Sequence, residues 1–240
     1  MAFTRYFTKV VKPLLTIAKQ DGGAYADDDV LFPSTPFEIP KGTSRLIGAT
    51  ATVRGNNGAA QAIPFDLLFS SQTLVMGVES DTATLAPSND LLGVVSFAAA
   101  DYGGNSLDFF SIASASATPP SICLTSDDGN ASNFGRQLGV DRIYVSGLAG
   151  GTFNFASTTA VTADHAAGAS TVLTLDGKSA LMTLAPGDII RADDNAAIGT
   201  IKSVDSATQI TLEKPNVAAI ADGDEVYPRQ PIKIILSFER

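Results

Sequence analysis

The chain has 240 residues, one cysteine, one histidine and a net charge of −9 from 25 acidic and 16 basic side chains. That length buries a core without disulfides or metals, Cys123 alone excludes an intramolecular bridge, and a single His excludes the usual zinc-site spacings. The negative field repels nucleic acid and anionic lipid, so neither is expected as a partner, and no run of about 18 apolar residues offers a membrane span.

The first twenty residues, "MAFTRYFTKVVKPLLTIAKQ", hold Arg5, Lys9, Lys12 and Lys19 and no acid. These basic residues interrupt every apolar run, which is unlike a signal peptide. Phe3, Tyr6, Phe7, Val10, Val11 and Leu14 follow the i, i+3, i+4 spacing of a short amphipathic helix that Pro13 would end. The same residues read equally as an extended arm, 1–20, lying on a neighbouring subunit with its aromatics as anchors.

From residue 21 the text is that of a β protein. "QDGGAYADDD" reads as a turn-rich linker, and the three prolines of "PSTPFEIPKGTS" suit strand edges and exclude a central strand. "LIGATATVR", the turn "GNNG" and "AAQAIPFDLLFS" read as a hairpin, with Phe65, Leu67 and Phe69 on its core side. Further strands are expected at 73–78, 92–98, 107–113, 121–125 and 142–147, separated by loop compositions, and "DDGNASNFGRQLG" has room for one helical turn. In "PIKIILSFER", Ile232, Ile234, Leu236 and Phe238 share a face and Ile235 is a half-exposed exception; partners for this strand are expected before residue 157. A β-sandwich or jelly-roll-like domain therefore takes residues 21–156 plus 229–240.

Between these parts, residues 157–228 are expected to form an inserted or appended second domain. The loop "TTAVTADHAAGAS" leads into it like a hinge. Short strands are expected at 171–175, 180–184, 187–192, 197–204, 208–214 and 224–228, with "VDSAT" as a hairpin loop and Gly-Asp at 187–188 and 223–224 in tight turns. So many short strands in so few residues bury their apolar side most easily in a small SH3-like β-barrel. The fold class is all-β.

Chemistry is sparse. Asp188, Asp193, Asp194, Asp222, Asp224 and Glu225 lack the alternating ligand spacing of a calcium loop and read as solvated turns, as do 25–29 and 126–130. His165 has only Asp164 beside it, and Cys123, in apolar "SICLTS", reads as a small core residue. "GLAGG" lacks the lysine of a phosphate loop, and no nucleophile elbow or dinucleotide fingerprint occurs. No catalytic, cofactor-binding or metal residue is assigned, no cofactor is expected, and an enzyme is not expected.

The text "KPLLTIAKQDGGAYADDDVLFPSTPFEIPKGTSRLIGATATVRGNNGAAQAIPFDLLFSSQTL", with the terminal "PIKIILSFER", resembles small virion structural proteins of tailed phages, marine and cyanophage-like ones especially. "GDIIRADDNAAIGTIKSVDSATQITLEKP" is similar in style to small β-barrels of phage head and tail proteins. The resemblance implies a head decoration (cement) protein on the capsid surface of the virion, bound to the major capsid protein or other virion subunits as a homo-oligomer. A tail or neck component is one alternative. A host-surface or glycan-binding module, using aromatics such as Tyr102 or Phe134, is another.

Overall fold

The computed structural model describes residues 5–16, 23–79, 81–84, 90–103, 109–115, 122–124 and 140–240. The expected helical turn in "DDGNASNFGRQLG", the acidic stretch 126–130 and Phe134 lie outside them. The described chain is nearly all β, in several antiparallel sheets.

One sheet has the order β1 (Tyr6–Val11), β15 (Ile232–Glu239), β3 (Ser44–Arg54), β6 (Phe110–Ser114), and the short β7 (Ile122–Leu124) extends it beside the first residues of β3. A second runs β2 (Val30–Pro40), β8 (Val140–Ala149), β4 (Phe65–Ser70), β5 (Leu91–Phe97). Both sheets feed one core, in which Phe32, Phe65, Phe69, Phe97 and Phe238 are almost wholly buried. A third sheet runs β14 (Val226–Pro228), β11 (Ile189–Ala192), β12 (Ala197–Ser206), β13 (Gln209–Leu212), β10 (Val172–Gly177), β9 (Thr159–Val161). Its two end strands meet: Ala160 bridges Glu225, and the Val161 amide donates to Asp224 O at 2.9 Å. Its side chains make a separate, smaller core around Ile190, Ile198, Ile201 and Ile210.

β15 shows why the pattern works. Ile232, Ile234, Leu236 and Phe238 are buried while the residues between them are half-buried, the period-2 alternation of a strand with one face in a core. Its partners are β1 and β3, one on each edge. Phe238 stacks on Phe7 with ring centroids 5.0 Å apart and on Phe37 at 6.3 Å.

The amphipathic-helix reading of the N-terminal segment is overturned. Tyr6–Val11 is an edge strand on β15 of the same chain, not an arm laid on a neighbour. The spacing of its apolar residues fits both periods, and the free edge of β15 selects the extended one because pairing there places Phe7 on Phe238 and buries Val11. Tyr6, Val10 and Leu14 are left exposed.

Other expectations also change. β3 and β4 are not a hairpin: β3 has both edges filled by β15 and by β6 and β7, so the chain crosses to the second sheet after the Asn56–Ala59 turn. Residues 73–78 alternate buried Leu74 and Met76 with exposed Val75 and Val78 but form no named strand. Ala180–Thr183, expected as a strand, is a single helical turn, α1, that buries Ala180. The hinge-like loop begins with β9, whose Val161 belongs to the smaller core. The linker "QDGGAYADDD" contains buried Tyr25, which packs on Phe153 and Phe155. Cys123 is exposed rather than in the core, because alternation in β7 turns Leu124 inward. The proline-rich strand β2 is at the sheet edge, and its register shifts fall on either side of Phe32 and Pro33.

Among the described residues a local motif recurs four times. In Ala26–Asp29, Ala98–Asp101, Ala185–Asp188 and Ala221–Asp224 the Asp amide donates to the Ala carbonyl, and the Asp carboxylate accepts from the Ala amide. The third residue has positive φ in three of them, at Asp28, Gly187 and Gly223. These carboxylates are engaged by their own turns, and Asp29 is buried, so the solvated reading fails for it.

A half-buried carboxylate fastens the chain after β1. Glu79 Oε1 accepts from the Thr16 amide at 2.7 Å, Thr16 Oγ1 at 3.0 Å and Tyr25 Oη at 3.0 Å. Burial pushes the Glu79 carboxyl above its ordinary value, against the pull of those donors and of Arg229. A carboxyl whose folded value is raised binds its proton more tightly when folded, so stability falls as pH rises from about 4.5 through the raised value. Glu79→Gln keeps an acceptor for the same donors; melting curves should show it more stable than the wild type at pH 7–8, with the gap closing below pH 4.5. Within the larger core, Phe238→Ala should cost about 3–5 kcal/mol in denaturant unfolding, whereas Ile235→Ala costs under about 1.5 kcal/mol.

Candidate functional site

The two cores meet at a cleft of about 330 Å³. One wall comes from the ends of β3 and β15 and the segment after β1; the other comes from α1 and the Ala185–Asp188 turn. Phe109, Phe155, Leu181, Met182, Pro186 and Pro231 give it an apolar lining. Its charged residues are Lys12, Arg54, Lys233 and Asp188.

Arg54 is the last residue of β3, and its amide donates to Pro231 O at 2.9 Å, which fixes the backbone beside the returning chain. Its Nη2 donates to both oxygens of Asp188, at 2.5 and 2.6 Å, and its Nη1 donates to Thr183 O at 2.6 Å. The guanidinium thus pins the smaller core's turn and α1 to the larger core's sheet. Burial raises the Asp188 carboxyl, while Arg54, the Ala185 amide and Lys12 pull it down. A second contact lies beside this pair. Gly58, in the turn after β3, has φ 71°, and a Cβ there would sit 3.1 Å from Met182 Cβ, so the turn needs glycine both for its conformation and for its approach to α1.

The two lysines are held differently. Val11 pairs with Ile234, so Lys12, one residue on, lies beside Lys233, one residue back, on the same outward face. Neither ammonium group makes a hydrogen bond or ion pair among the described residues, although Lys12 is close enough to Asp188 to favour its charge. The cleft therefore combines a buried ion pair with two lysines that make no ion pair among the described residues, in a largely apolar lining.

The residues singled out in the sequence fall elsewhere, with one exception. Asp188, expected as a solvated turn residue, is the buried half of the Arg54 pair. Asp193 and Asp194 accept backbone amides in an exposed turn, Asp222 takes part in a contact with Asp164, and Glu225 accepts from Tyr227 Oη. No group of three or more His, Cys, Asp or Glu side chains suited to a metal occurs among the described residues. His165 bridges Ile220 through its backbone, with each amide donating to the other's carbonyl. Tyr102, expected as an exposed aromatic, is half-buried, packs on the larger core and donates to Ile63 O at 2.7 Å. Sequence reading missed Arg54, Lys12 and Lys233 because the site is assembled from partners more than a hundred residues apart, 134 for Arg54 and Asp188.

Removing Arg54 tests the junction. Arg54→Ala leaves a buried carboxylate unpaired and should cost about 2–3 kcal/mol at pH 7, below the range for a fully enclosed pair because the guanidinium keeps some water. Without that cation the Asp188 carboxyl rises further, so the variant should recover stability relative to the wild type as pH falls through the raised value toward 3.8. Thermal melts of both proteins from pH 7 to pH 4 check the sign.

A scan against protein-family models finds no match to this chain, and a search of curated proteins finds no relative.

Proposed function

We propose that this chain is a non-enzymatic structural protein of a tailed-phage virion: a decoration or cement subunit that binds the outside of the capsid lattice, contacts the major capsid protein and assembles as a homo-oligomer. In this reading the two sheets around the larger core are a β-sandwich, and the six-stranded path, whose end strands meet at Ala160 and Glu225, is a small SH3-like barrel.

The observation that carries the proposal is the outer face of the sheet built on β15. Val10, Ile235, Thr50 and Ser114 stand side by side across four strands, followed by Thr8, Ser237 and Gly48 across three. These residues are exposed or half-buried, small or apolar, and uncharged. Among the described residues, charge stands at the two ends of this face, in the Arg45–Glu239 ion pair at one and in Lys12, Lys233 and the Arg54–Asp188 pair at the other. A broad neutral face with a charged border suits a packed subunit contact, in which the centre excludes water and the rim sets orientation.

Counting copies per particle tests this reading. A cement protein is present in hundreds of copies, and particles lacking it lose resistance to heat or low salt. Tens of copies at most would move the chain to the tail or neck, and saturable binding of the isolated protein to cells or glycans would favour the host-surface alternative.

A further inference from the structure

The cleft holds two features that the fold itself does not require. Like charges directly across neighbouring strands repel, yet Lys12 and Lys233 stand beside each other at its mouth in a chain with net charge −9 and only 16 basic residues. Leu181, on the opposite wall, is 57% exposed although its neighbour Ala180 is buried in the smaller core. Two lysines without an ion pair among the described residues line the same cleft as an exposed leucine and Phe109, Met182 and Pro231, a surface suited to a ligand with a carboxylate next to an apolar group.

We propose that this cleft receives an extended segment of a partner polypeptide, placing an acidic side chain between Lys12 and Lys233 and an adjacent apolar side chain against Leu181 and Met182. The partner's identity as a virion subunit rests on the reading above; the chemistry of the cleft does not. A carboxylate fits better than a phosphate, because Arg54, the side chain whose fork matches phosphate oxygens, is already engaged with Asp188 and Thr183. The volume, about 330 Å³, is that of a few side chains rather than of a folded element. The Arg54–Asp188 pair holds the two walls at a fixed separation, so the groove is formed before its ligand arrives.

The test uses the full chain and two peptides, acetyl-Leu-Asp-Glu-Leu-amide and its uncharged counterpart acetyl-Leu-Asn-Gln-Leu-amide, followed by calorimetric titration. The acidic peptide should bind saturably and at least about tenfold more tightly than the uncharged one, with an affinity that falls as salt is raised. Lys12→Met with Lys233→Met should remove that preference while leaving the melting temperature near that of the wild type. Equal affinity for the two peptides, or no saturable binding of either, would overturn the proposal even if the double variant failed to fold, since that comparison uses the wild-type chain. Succinate serves as a competitor: weak displacement supports a peptide ligand, and succinate binding as tightly as the acidic peptide would overturn it in favour of a small dicarboxylate. Peptide binding with a copy number in the tens would leave the cleft intact and remove only the cement reading; a cement stoichiometry without peptide binding would do the reverse.

Discussion

The structure depends on the pairing of β15 between β1 and β3. A strand that follows the smaller core in sequence returns to an interior position in a sheet begun by the earliest described residues, and it fills both of its edges there. Its four inward side chains sit among residues contributed by both sheets of the larger core. The chain between Phe155, still in the larger core, and β15 must therefore leave that core and come back to it, which requires the ends of the intervening segment to lie close together. The smaller sheet meets this requirement by joining its own first and last strands, β9 and β14, through Ala160 and Glu225.

Two chain crossings alone would allow the cores to swing against each other. The contacts at the junction oppose this: the Arg54 fork on Asp188 and Thr183, and the close approach of Gly58 to Met182. The cleft exists because these contacts occupy only part of the junction. Its cations come from the strand face that otherwise presents neutral residues, so the proposed docking face and the proposed peptide groove are continuous along β1 and β15.

Much of the architecture was legible in the text of the chain. The alternation in "PIKIILSFER" specified which residues are buried and that their partners come early, and "TQITLEK" buries Ile210 and Leu212 as its spacing requires. What failed did so for physical reasons. Tyr6 to Val11 satisfies two periodicities, and only the vacant edge of β15 decides between them. "LIGATATVR" and "AAQAIPFDLLFS" are good strands near a good turn, but adjacency in sequence does not say that β15 fills the edge a hairpin partner would take. "ALMTL" is short enough for either structure, and one turn of helix buries Ala180. The cleft was the least legible part: Asp188 looks like any other aspartate after glycine until Arg54 is brought beside it.

Because the residues of the smaller core are contiguous in the chain and β15 comes after them, synthesis on the ribosome delivers the two cores in a fixed order. The smaller sheet has all six of its strands before β15 emerges, whereas β1 and β3 must wait with open edges for a partner not yet made. A smaller sheet that closed before β15 paired would shorten the effective loop that β15 must close, bringing the returning strand to its slot with less entropy to lose.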